Sequence, residues 1–175
     1  ANLFRYKLLL EKGGIWIDMD MICLNPFIFQ EPYVFASENP HGVTNSMIKV
    51  PPGAEVMQFC YDRAVSFDPR DIRWGMTGPA LLRSAVDHFD LQQYSKDYNT
   101  FCPLNYSEVS LFIADNSAFF LSERIERSFA VHLWNEMWRI QKMDKDKQYP
   151  PSCLYETLKK KYLKDCPRPA PELNL

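Results

Sequence analysis

The chain has no long apolar run, no paired cysteine motif and almost no net charge. A formal charge of −2 over 175 residues supplies no broad basic field for a nucleic-acid backbone, so nucleic acid is excluded as a main partner. No stretch nears the roughly 18 to 20 apolar residues of a spanning helix. The opening ANLFRYKLLLEK also lacks the apolar core of a signal peptide. A soluble chain is expected, with at most peripheral membrane contact. The basic run LKKKYLK at 158–164 reads as a solvated helix face. The five cysteines, Cys23, Cys60, Cys102, Cys153 and Cys166, are scattered and odd in number, which argues against a zinc site or a disulfide framework and for a reducing compartment. There is no internal repeat. There is also no initial methionine, and the chain opens inside what reads as a helix.

The length suits one domain with one core. Residues 2–12 carry Leu3, Phe4 and Leu8, with Leu9 and Leu10, close to helical spacing, and Gly13-Gly14 should stop that helix. The run IWI then reads as a short buried strand. Tyr33 to Ala36 and Met47 to Val50 read as further strands, and a helix follows with Val56, Phe59, Cys60 and Ala64 on one face. Thr77-Gly78 reads as a loop and Pro79 as the first helical residue, where its missing N–H costs nothing. Residues 92–114 look loop-rich with short strand-like pieces. Phe129 to Leu133 reads as a last strand running into an aromatic turn, and CPRPAPELNL at 166–175 as a proline-rich tail. Strands alternating with helices favour an α/β fold.

Asp18 and Asp20 follow the IWI strand, two apart, so an extended backbone would project both carboxylates to one side. In α/β sheets the carboxyl ends of strands line the ligand crevice. Two adjacent carboxylates repel and resist burial unless a cation offsets them, and oxygen ligands suit magnesium or manganese. Two phosphate chemistries use such a site. The haloacid-dehalogenase phosphatase pattern nearly fits IWIDMDMI, but Ile22 stands where Thr or Val belongs and no downstream acidic pair is evident. Sugar transfer from a nucleotide-sugar is the other, with metal bridging the diphosphate.

The stretch ANLFRYKLLLEKGGIWIDMDMICLNPF resembles the DXD sugar-transferase region of glycosyltransferase family 32, and is similar to the glucosyltransferase domain of large clostridial toxins. NSMIKVPPG, TGPALL and AVHLWNEMW follow in the order that family shows. The resemblance implies a single catalytic domain over 1–175 of GT-A type, a Rossmann-like mixed sheet with flanking helices, lacking its N-terminal nucleotide-binding strands. It implies a retaining enzyme that moves a hexose or N-acetylhexosamine from a nucleotide-sugar, UDP-linked in preference to GDP-linked, to a saccharide or lipid-linked saccharide. Mn2+ or Mg2+ would be held by Asp18, Asp20 and His132. Arg5 would contact donor-sugar hydroxyls or diphosphate, and catalysis would rest on Arg5, Asp18 and Asp20.

The donor set implied is Asn2, Arg5, Asp18, Asn45, Thr77, Gly78, Trp134 and Asn135. Asn2 stands where many relatives carry aspartate, and the Trp134 indole N–H would reach a phosphate oxygen. Plainer roles exist for several of these residues: Arg5 as a helix-surface arginine, His132 as a core histidine, Trp16 as strand packing, Glu38 and His41 as scaffold. A non-catalytic remnant of the fold is the alternative from another class. The free cysteines favour a bacterial cytoplasmic enzyme of capsule or other surface-polysaccharide synthesis, with the Golgi lumen as the other compartment.

Overall fold

The computed structural model describes residues 1–163; the proline-rich tail expected at 166–175 lies outside them. The chain opens with helix α1, Asn2–Lys12, which buries Arg5, Tyr6 and Leu9 on one face. Its stop is steric as well as conformational. Gly13 sits at φ 62°, and a Cβ there would lie 2.4 Å from the Pro52 nitrogen, so only glycine fits.

From Gly14 the chain enters β1, Gly14–Ile17. The expected strands at 33–36 and 47–50 are β3, Val34–Glu38, and the longer β4, Gly42–Val50. These form one antiparallel sheet in the order β1-β4-β3. A second sheet pairs β2, Met21–Cys23, with β5, Ala130–His132, also antiparallel. A parallel bridge from Phe35 to Ser95 adds the mixed character. Small sheets with flanking helices make the fold α/β and compatible with a GT-A-like arrangement.

Helices α2, Glu55–Ser66, and α3, Pro79–His88, pack with α1 over one face of the larger sheet. Tyr6, Leu9, Phe35, Ile48, Met57 and Leu82 fill that layer. Each fully buried side chain of this size contributes about 1.5 to 3 kcal/mol. A second cluster packs Val34, Ala36, Met47, Phe101, Cys102 and Ala130, and thereby joins the two sheets. The third, around Phe112, Val131, Trp138 and Leu154, packs β5 against the short helices α5 (Ser122–Glu126), α6 (Asn135–Ile140) and α7 (Leu154–Tyr162), while α4 (Ser117–Phe120) is tied to α7 by the Ser117 hydroxyl, which accepts the Leu154 N–H. Within the basic run, Leu158 is buried while Lys160 and Lys161 are exposed, as a solvated helix face requires.

Residues 92–114 hold no strand. They form 3-10 turns at Gln92–Tyr94, Tyr98–Thr100 and Tyr106–Phe112. Local polar contacts outweigh the β preference of the tyrosines and valine: Asp97 accepts the Asn99 N–H at 2.9 Å, and Asn105 with Glu108 forms a reciprocal capping box.

One irregularity positions the site. Phe35 faces Ile48, yet Ser37 faces Val43, so β4 bulges between these pairs. The bulge turns Asn45 towards Asn2 of α1 and Ser46 towards Cys102 on the opposite side. On its other edge β4 stays in register with β1, and one step beyond the Ile17–Met47 pair the Ser46 carbonyl accepts the Asp18 N–H at 2.8 Å, which ties the D-x-D segment to the sheet.

Candidate metal and donor site

Asp18 and Asp20 do not share an extended strand. The chain turns after Asp18, with the Met21 N–H donating to the Asp18 carbonyl at 3.2 Å, and this turn joins β1 to β2. It places Asp20 beside β5, where the Leu133 N–H donates to the Asp20 carbonyl at 2.8 Å. The two carboxylates and His132 meet through tertiary structure, since β5 pairs His132 with Met21. Their nearest ligand atoms all lie within 4.8 Å of one another.

The two acids are held differently. Asp18 Oδ1 accepts from Arg5 Nη2 at 2.7 Å and from Trp16 Nε1 at 2.8 Å. Burial pushes its pKa above the ordinary carboxylate range, against the pull of Arg5 and the Trp16 hydrogen bond. Asp20 Oδ1 lies 3.2 Å from His132 Nε2, and its Oδ2 accepts the Asn135 backbone N–H at 3.0 Å. Burial raises Asp20 too, but His132 and the Asn135 N–H outweigh it and hold the pKa at about 2. His132 is in turn fixed from both sides: Trp134 stacks on it at 3.9 Å and Cys102 Sγ lies 4.0 Å from Nδ1.

Arg5 is no surface arginine. It is 4% exposed, its guanidinium lies 4.8 Å over the Trp16 ring, and its Nε and Nη1 are buried without a partner among the described residues. Buried donors of this kind are rare and costly unless something accepts from them. Trp16, read from the sequence as packing, is therefore part of the site. Its spacing of two from Asp18 along a strand was the available signal.

A second cluster stands one helical turn from Arg5 on α1. Asn2 Nδ2 donates to Thr77 Oγ1 at 3.2 Å, and Asn45 Nδ2 donates to Asn2 Oδ1 at 3.2 Å. The Tyr6 hydroxyl donates to the carbonyls of Thr77 and Gly78 at 3.0 and 3.2 Å. Gly78 is where the chain must pass close: a Cβ would lie 3.1 Å from Asn45 Nδ2 and 3.2 Å from Asn2 Nδ2. Asn2, Asn45, Thr77 and Gly78 are thus gathered around the start of α3.

One expected donor contact needs correction. The Trp134 indole N–H donates to the Leu104 carbonyl at 2.9 Å and is not free for a phosphate oxygen; its ring face is what it offers the site. Asn135 enters through its backbone N–H on Asp20. The αL conformation of Trp134, φ 56°, turns the chain so that this N–H faces the carboxylate. Ser46 and Tyr6 were missed, because one acts through a carbonyl and the other through carbonyl partners some seventy residues away.

Two carboxylates and an imidazole form a hard, mixed O/N donor set suited to a divalent first-row or alkaline-earth ion. Cis ligands of an octahedral ion with bonds of about 2.1 Å stand about 3 Å apart, so side-chain rotation would close the present spacing. The residues fit such an ion. Residues 1–39 match the glycosyltransferase sugar-binding region containing the DXD motif, and residues 52–170, well over half of the chain, match the alpha 1,4-glycosyltransferase conserved region. The chain belongs to this glycosyltransferase family. The match decides for sugar transfer over the phosphatase pattern. No curated protein and no solved structure matches.

In the glycosyltransferase, Asn2, Arg5, Asp18 and Asp20 lie in the first matched region and Thr77, Gly78, His132, Trp134 and Asn135 in the second. A glycosyltransferase of this family works between a nucleotide-sugar donor and a saccharide acceptor, and a DXD region goes with divalent-metal binding. No helix among the described residues is long and apolar enough to cross a membrane.

Proposed function

We propose that this glycosyltransferase moves a hexose or N-acetylhexosamine from a UDP- or GDP-sugar to a saccharide, with retention of anomeric configuration and with Mn2+ or Mg2+ held by Asp18, Asp20 and His132. The observation that carries the reading is the convergence of those three side chains within 4.8 Å beside two partnerless buried N–H groups of Arg5. A bound divalent ion would supply Lewis-acid neutralisation of the diphosphate. Arg5 Nε and Nη1 would donate to the diphosphate as negative charge develops on it. Trp16 and Asp18 hold the guanidinium in place for this, one by its ring face and the other by an ion pair. Asn2, Asn45 and Thr77 offer amide and hydroxyl groups to the sugar hydroxyls.

Among the described residues, no carboxylate other than Asp18 and Asp20 is joined to this cluster by a hydrogen bond or ion pair. Attack on the donor face assisted by the leaving phosphate is the corresponding route, and a trapped glycosyl-enzyme seen by mass spectrometry would overturn it. The free Cys60, Cys102 and Cys153, all buried, suit a reducing compartment and support a cytoplasmic enzyme.

The test is nucleotide release from a panel of UDP- and GDP-sugars, with manganese and then with chelator, for the wild-type chain and Asp20→Ala. Chelator-sensitive release from one donor, abolished in the variant, is expected. Release that ignores both chelator and substitution would refute the metal assignment.

A further inference from the structure

A carboxylate outside the metal group is unexplained. Glu38 ends β3 opposite Gly42, in the hairpin that carries His41 near its tip. Burial raises its pKa, and only the charges of His41, His132 and Arg83 oppose this, with no hydrogen bond to it from the described residues. A half-buried carboxylate without donors bears a desolvation cost that the fold itself does not offset. It lines an open surface hollow of about 350 Å³ together with Ser95, Lys96, Asp97 and Tyr98. Ser95, in the same wall, has a hydroxyl that is buried without a partner.

A run of rings leads from the metal group to the hairpin that bears Glu38, beside the hollow rather than within it. His132, 3.2 Å from Asp20, stacks on Trp134 at 3.9 Å; Trp134 meets Tyr106 edge-on at 6.2 Å; Tyr106 stacks on His41 at 5.8 Å, with their Nε2 and hydroxyl 3.3 Å apart. The run returns the path to the hairpin bearing Glu38. Within the hollow the Tyr98 ring stands with a carboxylate that has no donor, a pairing suited to a polyhydroxylated ring: apolar C–H faces rest on an aromatic, and a carboxylate accepts two neighbouring hydroxyls.

We propose that Glu38 and the hollow it lines form the acceptor subsite, taking a neutral saccharide whose adjacent hydroxyls donate to the Glu38 carboxylate. This rests on the transferase reading, since it supplies the second substrate of that reaction. Glu38 acts by positioning the acceptor. The charge on Lys96 is already engaged by Glu31 at 2.5 Å, so the hollow presents no free cation for an anionic ligand, and an uncharged one is favoured.

The experiment uses the full chain and two independent readouts. Saturation-transfer NMR with lactose, maltose and cellobiose at millimolar concentration reads saccharide binding; titration with UDP-glucose and GDP-mannose in manganese reads donor binding. The isosteric Glu38→Gln should weaken saccharide binding about tenfold or more, the loss of a charged hydrogen-bond acceptor. Asp20→Asn should abolish donor binding and leave the saccharide signal in place. With turnover, Glu38→Gln should raise the acceptor KM by a similar factor while the donor KM moves less than twofold. Saccharide binding that Glu38→Gln does not weaken, or no binding of any disaccharide to the wild-type chain, overturns the subsite. Loss of donor binding in Glu38→Gln overturns it as well, and assigns Glu38 to the donor. Saccharide binding that depends on Glu38, with no donor bound by the wild-type chain, sustains the subsite and refutes the transferase reading alone.

Discussion

Replacing Asp20 by Asn should weaken the apo fold in a pH-dependent way. Asp20 accepts from His132 at 3.2 Å and from the Asn135 N–H at 3.0 Å, and its pKa falls from the ordinary 3.8 to about 2. A carboxylate with a depressed folded-state pKa stabilises the fold above its unfolded pKa, and that stability is lost as pH falls through the folded one. The full shift corresponds to about 2 kcal/mol, and because the group is partly exposed, screening reduces this to roughly 1 to 2 kcal/mol. About half of it should survive at pH 3, and almost none below pH 2.

The assay is urea unfolding of wild type and Asp20→Asn, in chelator, at pH 7 and pH 3. An asparagine can satisfy only one of the two facing donors, so the neutral-pH loss should be clear. A stability difference that is equal at the two pH values would refute the electrostatic account and leave only a packing effect. A variant more stable than wild type at pH 7 would mean that desolvation of Asp20 outweighs both of its partners.

Trp16→Phe keeps a ring beneath Arg5 but removes the N–H on Asp18. Chelator-sensitive nucleotide release should fall about tenfold, the value of one charge-assisted hydrogen bond, and unchanged turnover would return Trp16 to strand packing. Gly78→Ala places a methyl 3.1 Å from Asn45 Nδ2 and 3.2 Å from Asn2 Nδ2. The donor KM should rise several-fold with less than about 1 kcal/mol lost in urea unfolding; an unaltered KM would remove the amide cluster from the donor site. Gly13→Ala meets Pro52 at 2.4 Å and a φ of 62°, so unfolding should show a loss of about 3 kcal/mol or more, whereas Gly14→Ala, with open space around it, should show only the backbone strain of about 1 to 2 kcal/mol.

Where signals are local, the sequence was a sufficient guide. The apolar face of α1, its glycine stop, and Pro79 opening α3 all depend on neighbours within a turn or two. β2 went unread because three residues after a turn carry no period, and their partner, β5, stands more than a hundred positions on. The 3-10 turns Tyr98–Thr100 and Tyr106–Phe112 were misread because Asx capping, rather than the β-forming side chains, decides their backbone. In the site, the residue types of Asp18, Asp20, His132 and Arg5 were legible. What was not is who holds whom: the Trp134 N–H on Leu104, the Asn135 N–H on Asp20, and the Ser46 carbonyl on the Asp18 N–H, a strand pairing that no side-chain pattern announces.

The D-x-D turn is also a mechanical joint. Asp18 hangs from the three-stranded sheet through the Ser46 carbonyl, while Asp20 and His132 ride on the two-stranded one. Any slip of one sheet past the other therefore changes the spacing of the three ligand atoms, and anything that draws those atoms together works as a rivet between the layers. An ion held by the three side chains would in this way stiffen the join between the two sheets, and slower exchange of the β2 and β5 amides on adding manganese would report it.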